Sequence, residues 1–251
     1  MITLPYLEPD TPFPAVQHAL DDPDGLLAYG ADLSPCRLLS AYSQGIFPWF
    51  SEGEPILWWS PSVRAIIPID QFKCSKSLGK LIKKQRYTVT LNKDFRAVIQ
   101  ECASIPRLHR GNNGTTTTST ATWITQDMIE AYIQLHELGL AHSVEVWDNN
   151  QLVGGLYGVA VGRVFCGESM FHHQPNTSKL ALAHLVAHMQ KHQCSFIDCQ
   201  LPTEHLSSLG AQSIPRSSFI TELRALNQTL DSEGYICSEY THRWQPQPIT
   251  L

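Results

Sequence analysis

The chain has 251 residues, 43% hydrophobic and 16% charged, with six Trp, eight Tyr and a formal charge of −5. That length suits one large domain or a small one leaning on a larger one, and so low a charged share excludes an intrinsically disordered chain. No apolar run approaches the roughly 20 residues of a bilayer span, and Met1-Ile2-Thr3-Leu4-Pro5 lacks the basic flank and apolar stretch of a signal peptide.

Residues 1–65 alternate Pro and Gly with large apolar side chains, as in Gly45-Ile46-Phe47-Pro48-Trp49-Phe50 and Trp58-Trp59-Ser60-Pro61. Only 34–42 reads as helix there, with Ser34 as N-cap and Pro35 at the first helical position. So short a segment cannot bury its aromatics alone, so a small irregular N-terminal domain, 1–65, should wrap against a larger body, 66–251. The pattern then turns regular, with a strand at 64–68, a helix at 74–84, a strand at 87–91 and a helix at 93–103. Residues 105–122, with the run Thr115-Thr116-Thr117-Thr118, lack periodicity and read as a disordered polar loop. A helix at 125–138 ends at Gly139. Three extended runs, 141–147, 151–161 and 163–171, punctuated by Asn149-Asn150 and Gly162, make an antiparallel meander. A helix at 178–191, a strand at 195–201 and a helix near 219–226 complete an α+β pattern.

Alternation on the strand at 195–201 puts Asp198 and Gln200 on one face and turns Cys199 away from them. A carboxylate and a carboxamide side by side make either a wet face or a site, because buried polar groups need partners. Glu168, amid Phe165, Cys166 and Met170, is costly unless paired and is a candidate functional residue. Gly167 in mid-strand suggests a bulge or a close backbone approach. Ser169 is not in a G-x-S-x-G elbow, which excludes a serine hydrolase. His184, His188 and His192 recur every four residues, but no H-E-x-x-H or Cys/Asp set accompanies them, so no metal is expected. They should lie toward the flank of their helix. Seven Cys without a C-x-x-C pair read as reduced thiols in a reducing compartment. Lys73, Lys76, Lys80, Lys83, Lys84 and Arg86 form a basic face without acidic interleaving, either solvated or contacting phosphates.

In order along nearly the whole chain, Asp32-Leu33-Ser34-Pro35, Glu54-Pro55-Ile56-Leu57-Trp58-Trp59-Ser60-Pro61, Leu152-Val153-Gly154-Gly155-Leu156-Tyr157-Gly158, Gly167-Glu168-Ser169-Met170-Phe171 and Asp198-Cys199-Gln200 resemble the leucyl/phenylalanyl-tRNA–protein transferase family. The resemblance implies transfer of Leu, Phe or Met from aminoacyl-tRNA to proteins beginning with Arg or Lys, which tags them for degradation by the N-degron route in the cytoplasm. It implies an acetyltransferase-like (GNAT) mixed sheet behind a small N-terminal domain, no cofactor, no membrane and no DNA. Asp198, Gln200 and Glu168 take the catalytic positions: Gln200 would orient the amine, Asp198 would hold Gln200 or accept the proton, and Glu168 would bind the amine or attract the cationic acceptor. Leu156, Phe165, Ser169, Met170 and Leu182 fall at the donor pocket. Phe165 and Met170 can share it only if the strand is bulged at Gly167. Tyr42, Trp49, Trp123 and Tyr132 would enclose the adenosine and aminoacyl group, and Lys76, Lys80, Lys83, Lys84 and Arg86 would meet the tRNA. Two departures stand out: a longer 105–122 loop, whose Arg107 and Arg110 touch tRNA or nothing, and Thr203 where some relatives carry Asn. The rival readings are an acetyl-CoA enzyme, a peptidoglycan-bridge transferase that also uses aminoacyl-tRNA, and a non-catalytic tRNA-binding module.

Overall fold

A computed structural model of the chain describes residues 4–105, 107–110, 116–119, 122–227, 232 and 237–251. Short strands β1 (Tyr6–Leu7), β2 (Leu26–Gly30), β3 (Phe47–Pro48) and β4 (Leu57–Trp59) make a four-stranded sheet of order β1-β2-β4-β3, so the N-terminal segment is more regular than its sequence suggests. Helix α1 (Pro35–Ser43) starts where Ser34 Oγ accepts the Arg37 N–H at 3.4 Å, with Pro35 at its first position. Trp58 is fully buried, its indole N–H donating to the Gly30 carbonyl at 2.9 Å.

The larger sheet draws on β5 (Val63–Pro68), β6 (Thr88–Leu91), β9 (Ala141–Asp148), β10 (Gln151–Val161), β11 (Val164–His172), β12 (Phe196–Asp198), β13 (Gln212–Pro215) and β14 (Gln247–Pro248). Its order is β13-β5-β12-β11-β10-β9-β6-β14. The meander β9-β10-β11 is antiparallel, as its turn residues predict, and β11 pairs with β12 in parallel. That parallel pair needs a crossover, supplied by α5 (Thr177–Lys191). The intervening helices are α2 (Lys76–Lys83), α3 (Phe95–Ser104) and α4 (Gln126–Glu137). After β12 come α6 (Glu204–Ser208), α7 (Arg216–Leu226) and α8 (Ser238–Arg243).

Adjacent strand residues point to opposite faces. A Cβ on Gly154 would meet Thr177 of α5, and one on Gly155 would approach Val98 of α3, so these helices cover opposite faces of the sheet. The arrangement is mixed α+β. One apolar core runs through both sheets, joining Leu38 and Tyr42 of α1 to Tyr132 of α4 and Tyr157 of β10.

Three expectations are corrected. Within 105–122, residues Arg107–Arg110 (β7) and Thr116–Ser119 (β8) pair antiparallel, where the polar composition suggested disorder; residues 106, 111–115 and 120–121 of that loop lie outside the described residues. The strand expected at 195–201 stops at Asp198. His184 and His188 are buried rather than on a flank: the His184 Nδ1–H donates to the Leu180 carbonyl at 2.9 Å, and the His188 Nε2–H to the Arg243 carbonyl at 2.9 Å. Among the described residues no helix is long and apolar enough to cross a membrane.

Candidate active site

Strands β11 and β12 are paired only from Val164↔Phe196 to Cys166↔Asp198. Beyond that β11 runs on while β12 ends, and a cavity of about 390 Å³ lies among the residues that follow on both strands. Two local breaks furnish it.

The first is on β11. Tyr157 pairs with Ser169 and Gly158 with Gly167, which leaves Glu168 without an opposite residue. This bulge, next to the predicted glycine, restores Phe165 and Met170 to one side of the strand and re-aims Glu168. Gly158 lets the strands close up there: a Cβ would sit 2.2 Å from the Cys166 carbonyl and 2.6 Å from the Phe165 ring. Leu156, Phe165, Ser169, Met170 and Leu182 all line the cavity, together with Leu185, Ile67 and Ile197.

The second break is at the end of β12. The Asp198 carboxylate accepts the Gln200 N–H at 3.0 Å, and Gln200 adopts a left-handed φ of 57°. An Asp side chain capping the backbone two residues on turns a strand this way, and the strain it carries is common at active sites. Gln200 therefore does not continue the alternation with Asp198. Asp198 is fully buried, does not line this cavity and meets Arg64 in two parallel bonds of 2.7 Å, Nε to Oδ1 and Nη2 to Oδ2. Arg64 is buried as well, its guanidinium between the Phe47 and Phe219 rings and its Nη1 donating to the Gly45 carbonyl at 3.1 Å. The sequence reading missed Arg64, although a charge inside the apolar strand Val63–Pro68 needs a buried counter-ion.

Glu168, at the first break, faces Gln200 at the second. The Tyr132 hydroxyl donates to it at 3.4 Å, and the Tyr42 hydroxyl pairs with that of Tyr132. Burial pushes the Glu168 carboxyl up to about 7; the nearby Asp198 carboxylate adds to this, while the Tyr42 and Tyr132 hydroxyls oppose it. The Gln200 amide has two seats. Nε2 faces Glu168 Oε1 at 3.3 Å, or, turned over, donates to the carbonyls of Gly167 at 3.0 Å and Cys199 at 3.1 Å. In the second seat Oε1 faces Glu168, which then needs a proton. A carboxyl titrating near 7 can hold one.

A second, wider cavity of about 1030 Å³ shares Glu168, Cys199, Gln200, Thr203 and Leu206 with the first. Its walls are Phe47, Trp49 and Glu52 on one side and Trp123, Gln126 and Ile129 on the other. Trp49 is 43% exposed and Trp123 half-buried, so both rings are open to a ligand. Tyr42 and Tyr132 are not: at 1% and 0% exposure their rings belong to the core, and only their hydroxyls reach the site, through Glu168. Cys199 lines both cavities, against the expectation that it turns away, because the strand ends before it. Burial pushes its thiol far up, which opposes a nucleophilic role.

The expected basic face is present. Lys76, Lys80, Lys83 and Lys84 are exposed on and after α2, while Arg86 is tied to Asp148 at 2.5 Å.

The family described as leucyl/phenylalanyl-tRNA protein transferase matches residues 66–224, and its N-terminal domain matches residues 31–62. A leucyl/phenylalanyl-tRNA–protein transferase of Pseudoalteromonas atlantica is 52% identical over 242 residues, covering 96% of this chain and 99% of the relative. One from Pseudoalteromonas translucida is 52% identical over 231 residues, 92% of this chain and 93% of the relative. One from Shewanella denitrificans is 46% identical over 251 residues, 100% of this chain and 99% of the relative.

Proposed function

The chain belongs to the leucyl/phenylalanyl-tRNA protein transferase family, and from that premise we propose that its two joined cavities transfer an apolar aminoacyl group from tRNA to the N-terminal Arg or Lys of an acceptor protein. As a member it is an aminoacyltransferase. The observation that carries the residue roles is the meeting of an apolar slot and an aromatic-walled groove at Glu168 and Gln200. The slot is of small-ligand size and suits the side chain of Leu, Phe or Met. The groove offers Trp49 and Trp123 to the terminal adenosine. Between them lies the place for the ester carbonyl.

The reaction exchanges an ester for an amide. The acceptor's α-amine attacks the aminoacyl carbonyl, the C–N bond forms, the C–O bond to the tRNA breaks, and the amine's proton ends on the released ribose oxygen. A free α-amine titrates near 8, so holding it neutral is a modest task and positioning carries much of the rate. Glu168, with its carboxyl near 7, is placed to take the proton and pass it on. Gln200 does not titrate; its amide holds the amine or the developing charge. Asp198, closed off by Arg64, acts through Gln200: it fixes the left-handed turn that aims the amide.

The finer readings rest on the same arrangement. The parallel β11–β12 pair, diverging beside a crossover helix, supports an acetyltransferase-like (GNAT) catalytic domain behind an N-terminal domain ending near residue 65. The exposed Lys76, Lys80, Lys83 and Lys84 suit tRNA phosphates. Donor choice of Leu, Phe and Met, degradation of the tagged acceptor and a cytoplasmic setting follow from the family reading.

Incubation with Leu-tRNA and a peptide beginning with Arg tests the proposal. Mass spectrometry should find one leucyl residue added at the peptide's N terminus. No gain, or acetylation from acetyl-CoA instead, would overturn it.

A further inference from the structure

The wide groove carries charge of one sign. Among the described residues that line it are two carboxylates, Glu52 and Glu168, and no Lys, Arg or His. A groove meant for phosphates would be furnished the other way, and the chain keeps its exposed Lys cluster on α2. Adenine needs only the neutral faces of Trp49 and Trp123. A second group therefore has to account for Glu52.

The turn that presents Glu52 leaves it free. The Glu54 carboxylate accepts the Ser51 N–H at 2.9 Å, the Glu54 N–H donates to the Ser51 carbonyl at 3.1 Å, and Gly53 closes the turn at φ 82°. Glu54 is thereby used within the turn. Glu52 has no hydrogen bond or ion pair among the described residues, is exposed, and lines the wide groove but not the apolar slot. Glu168 lines both. The two carboxylates thus differ in place: one at the junction where the ester carbonyl would lie, the other against the N-terminal wall beside Trp49. At about 1030 Å³ the groove lies at the top of the range for a single small ligand, which leaves space beside an adenosine.

Resting on the acceptor reading above, we propose that Glu52 is the specificity residue for the acceptor, pairing with the guanidinium or ammonium of its N-terminal residue. The α-amine is then held at Glu168 and Gln200 while the long side chain lies along the groove to Glu52. A flexible Lys or Arg stem suits such a span, and a guanidinium can meet the carboxylate with two bonds. The same charge repels tRNA phosphates, which keeps the groove for the nucleoside end and the acceptor.

The test compares transfer of Leu from Leu-tRNA to two peptides that differ only in their first residue, Arg or its neutral isostere citrulline, by the parent, Glu52→Gln, Glu52→Asp and Glu52→Lys. The parent should prefer Arg by about two- to fivefold in KM, roughly the effect of losing one exposed charge pair. Glu52→Gln should bring the two peptides together, Glu52→Lys should disfavour Arg further, and Glu52→Asp should keep most of the preference. The KM for Leu-tRNA and the kcat should stay within a few-fold of the parent. An Arg preference undiminished in Glu52→Gln, or a loss that falls on the Leu-tRNA KM, overturns the assignment while leaving the transfer reaction standing. A parent that transfers Leu to neither peptide overturns the function itself and this assignment with it.

Discussion

Asp198 and Glu168 lie on neighbouring strands at the same gap, and the sequence reading offers the proton to Asp198 and the amine or the cationic acceptor to Glu168. Their surroundings separate them. Asp198 ends β12 with no exposed surface, both oxygens on Arg64 and one also on the Gln200 N–H. Glu168 stands out from β11 on a bulge, lines both cavities and, among the described residues, hydrogen-bonds only with a hydroxyl and an amide. A carboxylate in two bonds to a guanidinium is held in place, whereas a carboxyl buried with no cation bonded to it is left near the pH at which it can exchange a proton. Residue type alone therefore does not assign a role. The partner does, and here the partner came from a strand about 130 residues earlier.

The largest effects should come from breaking the clamped side. Asp198→Ala leaves the Arg64 charge buried without its partner, which costs about 3–5 kcal/mol in stability. It also frees Gln200 from its turn, so kcat in the folded fraction should fall about 100-fold. Arg64→Gln should do much the same from the other end. Gln200→Ala sharpens the contrast: a comparable loss of transfer with almost no loss of stability, and aminoacyl-tRNA binding largely intact. Thermal unfolding and single-turnover transfer measure both quantities. Were Asp198→Ala as stable as the parent and active within a few-fold, the buried pair would not support the site.

The open side should be smaller in effect and pH-dependent. Glu168 has its folded pKa raised from 4.5 to about 7, so the native state keeps a proton that the unfolded chain has lost. Between those values stability falls as pH rises, and above about 7 the cost is constant. Glu168→Gln removes that cost. It should match the parent near pH 4 and be more stable at pH 8 by about 1–3 kcal/mol, the lower figure reflecting the carboxyl's partial opening to the cavities. Transfer by the parent should climb through pH 7 as Glu168 ionises, and the variant should be slower and lose that limb. A variant that retains the limb would assign the titration to another group and make Glu168 a binding residue only.

Much of this was legible in the sequence because it follows from short-range chemistry. Ser34-Pro35 at the start of α1, Gly139 after α4 and the Asn149-Asn150 turn each act within a few residues, and each is found as read. The bulge was legible in one further step, since the family resemblance puts Phe165 and Met170 in one pocket and alternation allows that only if the strand is bulged. What failed depended on distance. Nothing near Tyr42 in sequence says that Tyr132 will cover it, and so a ring expected to stack on a nucleoside is core. The reading of Cys199 failed differently. It extended a regular strand past Asp198, when the Asp side chain itself turns the backbone at Gln200.

That last failure offers the smallest and most discriminating measurement. If Cys199 pointed away from the site, its size would matter only to packing. As placed, it lines both cavities where they join, with its thiol held protonated by burial. Cys199→Ser changes neither volume nor charge by much and should transfer Leu within a few-fold of the parent, because no step uses the thiolate. Cys199→Phe places a ring in the junction between the apolar slot and the wide groove, and should lose transfer by tenfold or more at nearly unchanged folding. The two substitutions must be read together. If both were equally active, the side chain would face away after all, and the strand-end geometry that also aims Gln200 would be wrong. Loss of activity in a folded Cys199→Ser would instead give the thiol a chemical role that its burial argues against.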